Sequence, residues 1–526
     1  MPIKNKILLR LAMGLIPLMI CNCSNESINT NSSVQNDSVY ISLTVNTPMS
    51  STRSNPTGGE NGDGSEAGIN NENTIHSMAL FFYKDESATS IESGNGLATL
   101  IRVNIDESEI DQATNSMTAS MVAMSVKTLT LNIPYHIVVV ANGNEDDLSN
   151  ILKLSDLQTY IAKKAWTAGT TIESYDDFVM TSRFKTSADD VSYTLTGANK
   201  KDSPLGINIT LERLAARIDL IPQTTSNNAT YDTNGKYYSY PIGTTGDYFR
   251  LTYIKTINCM NAGTYLLKHI AAANADNTIA DGYSLIGTEQ PASGTETNYV
   301  LDPWTRSKTA DAVTMNLDGV STTVSDFYDN YFNLASTNVW TASENVQQCS
   351  SDQNYIMGYT MENTMAQKCQ LTKYSTGLLM KGVYVPKLWY VLDGGNLKKE
   401  AATAGTTFYA YNGAIYGSTA ALAKAASMND NTVYTEQQAL NLAGVETYIN
   451  GVCYYQYWIR HSNNNDAGNS IMEFAIVRNN IYRVTINSFN GVGTSTPGTT
   501  DEKDENMNAT IHVIPWSLYQ HSTIYM

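Results

Sequence analysis

The chain has 526 residues, enough for two or three domains with a core each. It carries 50 acidic and 33 basic residues, a net charge of −17, and has no basic stripe, which argues against nucleic-acid binding. Charged residues make up only 16% of the chain, and 33 tyrosines stand against 10 phenylalanines. This composition is typical of extracellular β-structure, whose strands favour aromatic and β-branched residues.

The beginning of the chain has the pattern of a bacterial secretory signal. Basic residues precede a short apolar run at residues 11–20, which is too short to span a bilayer. The run ends at two cysteines, and a polar, Ser/Asn-rich stretch follows. A cysteine directly after such a run is where lipoprotein processing attaches a lipid. We expect lipidation at Cys23, with Cys21 as the alternative; a plain signal peptide is the other interpretation.

Residues 39–46 alternate strictly between apolar and polar side chains, which predicts a half-buried strand. Its apolar face consists of Val39, Ile41, Leu43 and Val45. A Gly/Asn/Glu-rich segment at 54–73 follows and cannot bury apolar surface, so we expect an exposed loop there. A protease could cut between Arg53 and Ser54 and free the strand.

Many short strands separated by polar turns predict β-sandwiches. In chain order we expect strands at 75–83, 129–132, 136–141, 193–195, 207–220, 248–257, 382–385, 388–391, 452–459, 481–486 and 510–516. Helices are expected around 147–163 and 418–428, and long polar connections at 273–297 and 396–431. A Pro/Gly break at 203–206 places a domain boundary near residue 209. We expect the Gly/Thr/acidic segment at 491–506 to be a flexible linker to the last strand, just as a flexible segment joins the first strand to its domain.

Five stretches resemble the fimbrillin family of Bacteroidales, specifically the shaft subunit of the short (minor) fimbria, a type V pilin. They are Cys-Ser-Asn-Glu at 23–26, the strand and arginine segment at 42–53, Leu-Glu-Arg-Leu-Ala-Ala-Arg at 211–217, Val-Arg-Asn-Asn-Ile-Tyr-Arg-Val at 477–484, and Ile-His-Val-Ile-Pro-Trp at 511–516. The late Pro-Trp and the Val-Arg-Asn-Asn-Ile-Tyr stretch are the most specific pair. The chain departs from the family in a weak lipidation motif and in the serine after the arginine.

The resemblance implies an all-β protein of two transthyretin-like β-sandwich domains with long loops and a few short helices. It divides the chain into a lipoprotein signal (1–23), a propeptide with tether and first strand (24–53), an N-terminal sandwich (54–209) and a C-terminal sandwich with a terminal donor strand (210–526). Such subunits reach the surface as palmitoylated outer-membrane lipoproteins and are cut by an Arg-specific protease, here between Arg53 and Ser54. The first strand is lost, and a neighbour's C-terminal strand fills the groove.

By the same resemblance, the donor-strand candidates are Ile511, Val513, Ile514 and Trp516. The partners would be identical subunits in a cell-surface filament together with accessory tip and anchor proteins, and the filament would support adhesion, biofilm formation and virulence.

Catalysis finds little support in the sequence. The six histidines are scattered, and the chain has no Cys-x-x-Cys, no nucleophile elbow and no phosphate loop. We therefore expect no catalytic residue, no cofactor and no metal. The acidic clusters at 145–147 and 501–505 are interpreted as solvated loops, and most tryptophans as core. The charges of Glu212, Arg213 and Arg217 are expected to be exposed on a strand at the domain junction.

Two alternatives to a shaft subunit stay open. One is a surface glycan-binding lipoprotein, which would not need a cuttable loop after its first strand. The other is a tip or anchor subunit of the same fimbria. The cysteines beyond the signal, Cys259, Cys349, Cys369 and Cys453, allow one or two bridges or four buried free thiols.

Overall fold

The computed structural model describes a β-rich chain of strands and a few short helices. It describes residues 39–46, 66–84, 99–106, 110–111, 119–121, 124–126, 128–143, 148–182, 192–232, 237–260, 263–267, 270–271, 298–299, 314–317, 320–323, 355–363, 375–461, 473–496 and 507–517.

The N-terminal half of the described chain contributes twelve strands, of which ten form one sheet. The strands are β1 (Val39–Asn46), β2 (Glu66–Ala67), β3 (Ser77–Tyr83), β4 (Ile101–Asp106), β5 (Ile110–Asp111), β6 (Ala119–Met121), β7 (Met124–Val126), β8 (Pro134–Ala141), β9 (Ile161–Ala162), β10 (Met180–Ser182), β11 (Tyr193–Thr194) and β12 (Leu205–Arg213). Two short helices, α1 (Asn70–Asn73) and α2 (Leu154–Thr159), and a 3₁₀ turn at Ile172–Ser174 accompany them.

The order of this sheet is β4-β3-β8-β10-β12-β1-β6-β5, with β11 paired to β8 and β7 to β1. Its central strands are almost continuously apolar: all but the first residues of β3 and β8 are buried. Such nearly continuous apolar runs are typical of strands that are covered on both faces. The first strand of the chain therefore lies within the sheet rather than at its edge.

The C-terminal half carries the remaining strands, the longest of them in a second ten-stranded sheet. They are β13 (Ala215–Ile221), β14 (Thr230–Asp232), β15 (Tyr237–Ile242), β16 (Asp247–Ile257), β17 (Thr264–Tyr265), β18 (Ile270–Ala271), β19 (Asn298–Tyr299), β20 (Thr314–Leu317), β21 (Val320–Thr323), β22 (Tyr355–Met361), β23 (Gly377–Val385), β24 (Leu388–Asp393), β25 (Asn396–Ala401), β26 (Phe408–Tyr411), β27 (Ala414–Tyr416), β28 (Glu446–Tyr448), β29 (Val452–Trp458), β30 (Asn480–Phe489) and β31 (Met507–Ser517). The helices are α3 (Thr419–Asp430), α4 (Glu436–Leu440) and a 3₁₀ turn at Ile449–Gly451.

This second sheet runs β2-β31-β30-β15-β16-β23-β29, with β13 beside β30 and β22. β24 to β28 form a separate five-stranded sheet, and α3 and α4 pack on it through a small core of their own. None of the helices in the described ranges is long and apolar enough to cross a membrane.

The all-β sandwich class expected from the sequence is confirmed, and most of the predicted strands are present. The sheets change between Arg213, the last residue of β12, and Ala215, the first of β13. The domain boundary near residue 209 stays a prediction.

Several sequence expectations for local structure are wrong. The exposed loop expected at 54–73 is contradicted over 66–73, which hold β2 and α1 with Glu66, Glu72 and Asn73 buried, because these polar side chains find partners from distant segments; residues 54–65 lie outside the described residues. Residues 129–132 form a turn rather than a strand: Leu129 is buried, and Asn132 adopts a positive φ of 59°. Residues 396–431, expected to be a long polar connection, instead hold β25, β26, β27 and α3. The polar residues there occupy exposed faces of short strands, and such faces look like loops when the sequence is considered alone. The helix expected at 147–163 is shorter, with α2 covering only Leu154–Thr159.

Candidate functional site at the first and last strands

β1 is held in the N-terminal core by every second side chain. Val39 is 5% exposed, Ile41 and Leu43 are 1% exposed, and Val45 is fully buried. The polar residues between them are half-buried. The strand runs parallel to β12 and antiparallel to β6 and β7. The alternation in the sequence thus predicts correctly which face of this strand is buried.

β1 also connects its neighbours to the rest of the sheet. Among the described strands, β7 pairs only with β1, and β6 pairs with β1 and β5. Neighbouring strands lie about 4.8 Å apart, so removing β1 would open a gap of about 10 Å between β12 and β6/β7. The floor of that gap would include the buried side chains of Ile207 and Ile209 of β12.

β31 is paired within its own chain. It runs antiparallel to β30 from Met507, opposite Phe489, to Pro515, opposite Asn480. Its last residues run parallel to β2, with Trp516 opposite Glu66.

The two faces of β31 are buried in different cores. Met507, Ala509, Ile511 and Val513 pack against the core of the C-terminal sheet, whereas Ile514 and Trp516 belong to the core of the N-terminal sheet. The four donor-strand candidates from the sequence are therefore divided between two faces. Met507 and Ala509 on the first face were not among them.

Trp516 is the anchor of this strand and is fully buried. The guanidinium carbon of Arg213 lies 4.4 Å from the centre of its ring system. Tyr359 stacks on it at 6.0 Å with an interplanar angle of 12°, and Phe178 meets it edge-on at 5.9 Å. A buried tryptophan between a cation and two rings is stabilised by area and by geometry.

Around this anchor lies a buried set of charges that we call the junction network: Arg213, Arg217, Arg483, Glu66, Glu72 and Asp219. Each of the six residues is at most 8% exposed. Three guanidinium groups face three carboxylates, so the formal charges balance.

Arg217 is the centre of the junction network. It donates to Asp219 twice at 2.9 Å, to Glu72 Oε2 at 3.0 Å and to Glu66 Oε1 at 3.0 Å. Arg483 bridges the same Glu66 at 2.7 Å and Asp219 at 3.0 Å. Burial alone would lower the pKa of Arg217, but the attraction of Asp219 and then of Glu72 outweighs it and holds that pKa above its usual range.

The segment from Glu66 to Asn73 is fixed over the end of β31 by the same network. Arg213 donates to the Trp516 carbonyl at 3.2 Å, to the Glu72 carbonyl at 3.0 Å and to Asn73 Oδ1 at 2.6 Å. The hydroxyl of Tyr359 donates to Glu72 Oε1 at 2.6 Å.

Gly68 allows this close packing. A Cβ there would lie 2.7 Å from Asn73 Oδ1 and 2.8 Å from the Trp516 ring nitrogen. Residues 66–73, which follow Arg53 in the sequence, are thus directly packed on the last strand.

The expectation of exposed charges at the junction strand is wrong. Glu212, Arg213 and Arg217 are 6%, 1% and 3% exposed. Single-sequence reasoning places charges at the surface because isolated charges are costly to bury. The carboxylate partners of Arg217, Glu66 and Glu72, lie about 150 residues away in a segment that looked like a loop.

The Val-Arg-Asn-Asn stretch, the most specific sequence match, forms the turn that enters β30. Arg478 is fully buried and binds Glu362 at 2.9 Å and the Leu266 carbonyl at 2.9 Å. Asn479 has a φ of 58° and donates its backbone N–H to the Ala215 carbonyl at 2.8 Å. These polar residues are therefore structural and hold β30 against the domain junction.

The cysteines and most tryptophans of the described residues lie in the core. Cys259 and Cys453 are buried free thiols, and burial raises the pKa of each to about 12. Trp389, Trp458 and Trp516 are buried, as expected for core residues. Cys21, Cys23, Arg53, Ser54, Cys349 and Cys369 lie outside the described residues, so their predicted roles stay predictions.

One cluster was missed because its members are far apart in sequence. His76 Nε2 lies 3.2 Å from Asp176 Oδ1 and 3.9 Å from Asp177 Oδ1. Such a trio could ligate a cation, but each side chain is about a third or more exposed. Asp177 is already bonded to the Thr167 hydroxyl at 2.7 Å.

Comparison with known proteins gives one sequence-family match and several structural likenesses. Residues 446–522 match the family described as "Major fimbrial subunit protein type IV, Fimbrillin, C-terminal". A fimbrillin from Porphyromonas gingivalis is 14% identical, with a TM-score of 0.39 over 92% of this chain and 100% of that one. A tip fimbrial protein from the same organism is 12% identical, with a TM-score of 0.35 over 91% and 100%.

A fimbrial assembly protein from Parabacteroides distasonis is 10% identical, with a TM-score of 0.32 over 90% and 98%. No curated protein matches the chain. The TM-scores are low, so the resemblance rests on the family match, which covers β28 to β31 and therefore the strand with Trp516. That family is described as one of major fimbrial subunits. The C-terminal part of the chain carries the fimbrillin signature, and the resemblance to the Bacteroidales fimbrillins predicted from the sequence is confirmed.

Proposed function

We propose that this fimbrillin-like protein is the shaft subunit of a cell-surface fimbria, which is activated by a cut after Arg53 and polymerises by donor-strand exchange. The observation that carries the proposal is the position of β1. It lies inside a sheet with four apolar side chains buried, and Arg53 follows it closely in the sequence. A strand so placed closes the groove in the precursor and opens it when removed.

The size of the effect supports a switch. Four fully buried apolar side chains contribute roughly 1.5–3 kcal/mol each, so losing β1 costs about 6–12 kcal/mol. Whole domains are stable by only about 5–15 kcal/mol. An open groove would therefore bind a replacement strand tightly through side-chain pockets and ladder hydrogen bonds.

The spacing of the side chains of β31 supports one choice for the residues that would enter the groove. Met507, Ala509, Ile511 and Val513 recur at every second position, the same spacing as Val39, Ile41, Leu43 and Val45. We infer that this row, rather than Ile514 and Trp516, enters the neighbour's groove. The two latter residues would point to the opposite face of the donated strand.

Before any exchange, β31 is paired with β30 of its own subunit. To leave, it must give up its pairing with β30, and Trp516 must come out from between Arg213 and Tyr359. We infer that two features keep the uncut precursor monomeric: the pairing of β31 within its own subunit and the occupation of the groove by β1.

The remaining elements of the proposal come from the sequence. The precursor would be exported as an outer-membrane lipoprotein, lipidated at Cys23 or Cys21, and would lose the lipid with the first strand. Its partners would be identical subunits, tip and anchor proteins and an Arg-specific protease. The filament would support adhesion and biofilm formation.

The test is polymerisation of purified protein after cutting with an Arg-specific protease. We expect the wild-type protein to form SDS-resistant ladders, and Arg53→Ala to remain monomeric under the same treatment. Arg53→Lys is the matched control, since it keeps the positive charge but resists an Arg-specific enzyme.

A fourth protein, in which the recognition sequence of an unrelated protease replaces residues 50–53, should form ladders only when that protease is added. Monomers from this protein after complete cutting would refute the shaft proposal, whatever the Arg53→Ala result.

A further inference from the structure

The outer face of β14, β15 and β16 is unusual for a solvated sheet surface. The inward residues Tyr238, Tyr240, Phe249 and Leu251 are buried in the core, as alternation requires. The outward residues converge on a shallow cleft of about 530 Å³ that contains Tyr237, Ser239, Tyr248, Arg250, Thr230 and Asp232. Two tyrosines and an arginine on one outer face form a polar and aromatic surface that folding alone does not require.

Arg250 is fixed in this cleft by aromatic rings. Its guanidinium carbon lies 5.1 Å from the centre of the Tyr237 ring and 5.2 Å from that of Tyr248. Its Nη2 donates to the Tyr248 hydroxyl at 3.1 Å. Stacking on rings orients a guanidinium without neutralising its positive charge. The N–H groups that do not bind Tyr248 therefore remain oriented donors.

No carboxylate in the described part of the chain forms an ion pair with Arg250, although the protein as a whole carries a charge of −17. The acidic group in the cleft, Asp232, is directed to a different partner. It lies opposite Tyr237 in the neighbouring strand. The pKa of the Tyr237 hydroxyl is raised mainly by loss of hydration and secondly by its hydrogen bond with Asp232. The cleft therefore holds one oriented cation and a carboxylate able to accept hydrogen bonds.

We propose that this cleft binds an acidic saccharide, through a carboxylate of the sugar on Arg250 and sugar hydroxyls on Asp232 and Ser239. A planar guanidinium matches one carboxylate bidentately. Asp232 would repel a second negative charge but accepts hydroxyl donors. Tyrosine supplies a flat apolar face beside a polar tip, which suits the ring of a sugar.

This site is separate from the strands of the proposed assembly mechanism. Among the described strands β14 pairs only with β15, and no residue of β31 lines the cleft. Each subunit of a filament would present one copy, so weak single sites would add up by multivalency. The inference can therefore be tested on the uncut monomer and does not depend on donor-strand exchange.

The experiment is a titration of the full chain with three defined sugars, followed by saturation-transfer NMR. Sialyllactose and a glucuronate-terminated disaccharide carry a carboxylate, and lactose is the neutral control. We expect saturable binding of one or both acidic sugars and none of lactose; which acidic sugar binds identifies the source of the carboxylate. Equal binding of lactose, or no binding of either acidic sugar at millimolar concentration, would overturn the proposal.

Variants make the test specific to the cleft. Arg250→Gln should weaken acidic-sugar binding roughly tenfold or more, and Tyr248→Phe should weaken it less because only the orienting hydroxyl is lost. Lys398→Gln is the matched control, since it removes one positive charge from an exposed hairpin elsewhere. An unchanged thermal midpoint shows that each variant is folded. Equal affinities of the Arg250→Gln and Lys398→Gln proteins would place the binding site elsewhere and refute the inference.

Discussion

β31 can serve as a donor strand only if it leaves its own sheet, so a covalent bond between β31 and β30 should block polymerisation. Thr485 and Thr510 lie directly opposite each other in this pair and point to the surface rather than the core. Opposed residues in antiparallel strands have Cα atoms about 4.5–5.5 Å apart. A disulfide spans about 4.4–6.8 Å between Cα atoms, so Thr485→Cys combined with Thr510→Cys should form one without strain.

The burial of β31 sets the free-energy cost of releasing it from its own sheet. Met507, Ile514 and Trp516 are at most 2% exposed, so releasing β31 forfeits about 5–9 kcal/mol of apolar burial. Filling a vacated β1 groove with Met507, Ile511 and Val513 returns about 5–9 kcal/mol, to which the small side chain of Ala509 adds little. The two quantities are similar, so the exchange can proceed in the cut protein at little net cost. A covalent link removes that route altogether.

The assay compares oxidised and reduced protein after cutting by an Arg-specific protease. We expect the oxidised variant to stay monomeric and SDS-resistant ladders to appear when dithiothreitol is added. Cys349 and Cys369 are replaced by serine in every protein, whereas Cys259 and Cys453 can stay, since burial raises their pKa to about 12 and keeps them unreactive.

Asp393→Cys with Asn396→Cys is the matched control, a disulfide across an exposed hairpin away from β31. It should polymerise in both redox states. Ladders from the oxidised Thr485/Thr510 variant, with its disulfide intact by mass spectrometry, would show that β31 is not the donor.

Three further predictions concern the end of β31 and the junction network. Trp516→Ala should destabilise the protein by about 3–5 kcal/mol in urea unfolding, because it leaves a cavity between Arg213 and Tyr359; a loss below about 1 kcal/mol would contradict this packing. Arg217→Met should cost about 3–5 kcal/mol because Glu72 loses its buried cation while Glu66 and Asp219 keep only Arg483, whereas the exposed control Lys398→Met should change stability by less than about 1 kcal/mol. His512 has a pKa lowered by burial and then by Arg483; its contribution to stability is present above the unfolded pKa of about 6.5 and is lost as the pH falls through the folded value. His512→Gln should therefore flatten the slope of melting temperature against pH below about 6.5, and an unchanged slope would exclude His512 as its source.

The sequence predicted best where one residue pattern decides the structure. Strict alternation in residues 39–46 identified the buried face of β1, because a half-buried strand has a period of two. The last strand was located for the same reason. Its division between two cores was not predictable, since which face of a strand is covered at each end depends on the neighbouring domain.

The junction network could not be predicted for a different reason. Each of its charges, seen alone, belongs at the surface. Burial becomes tolerable only when opposite charges from distant segments meet, and Glu66 reaches Arg483 across 417 positions of sequence. The Gly/Asn/Glu-rich composition of 54–73 predicted an exposed loop and gave no sign that Glu66 and Glu72 are buried partners of arginines.

A buried ionic cluster is an expensive way to gain stability, since apolar residues of similar volume often do as well. Its advantage here is geometric. Glu66 and Glu72 follow Arg53 in the sequence, Arg217 and Asp219 come from β13, and Arg483 comes from β30, so the cluster fixes three distant segments in one arrangement. A cut at Arg53 would separate β1 from the chain while leaving residues from Glu66 onward bound to the domain junction. Proteolysis would thereby open the groove without releasing the rest of the N-terminal domain, which an activating cut requires.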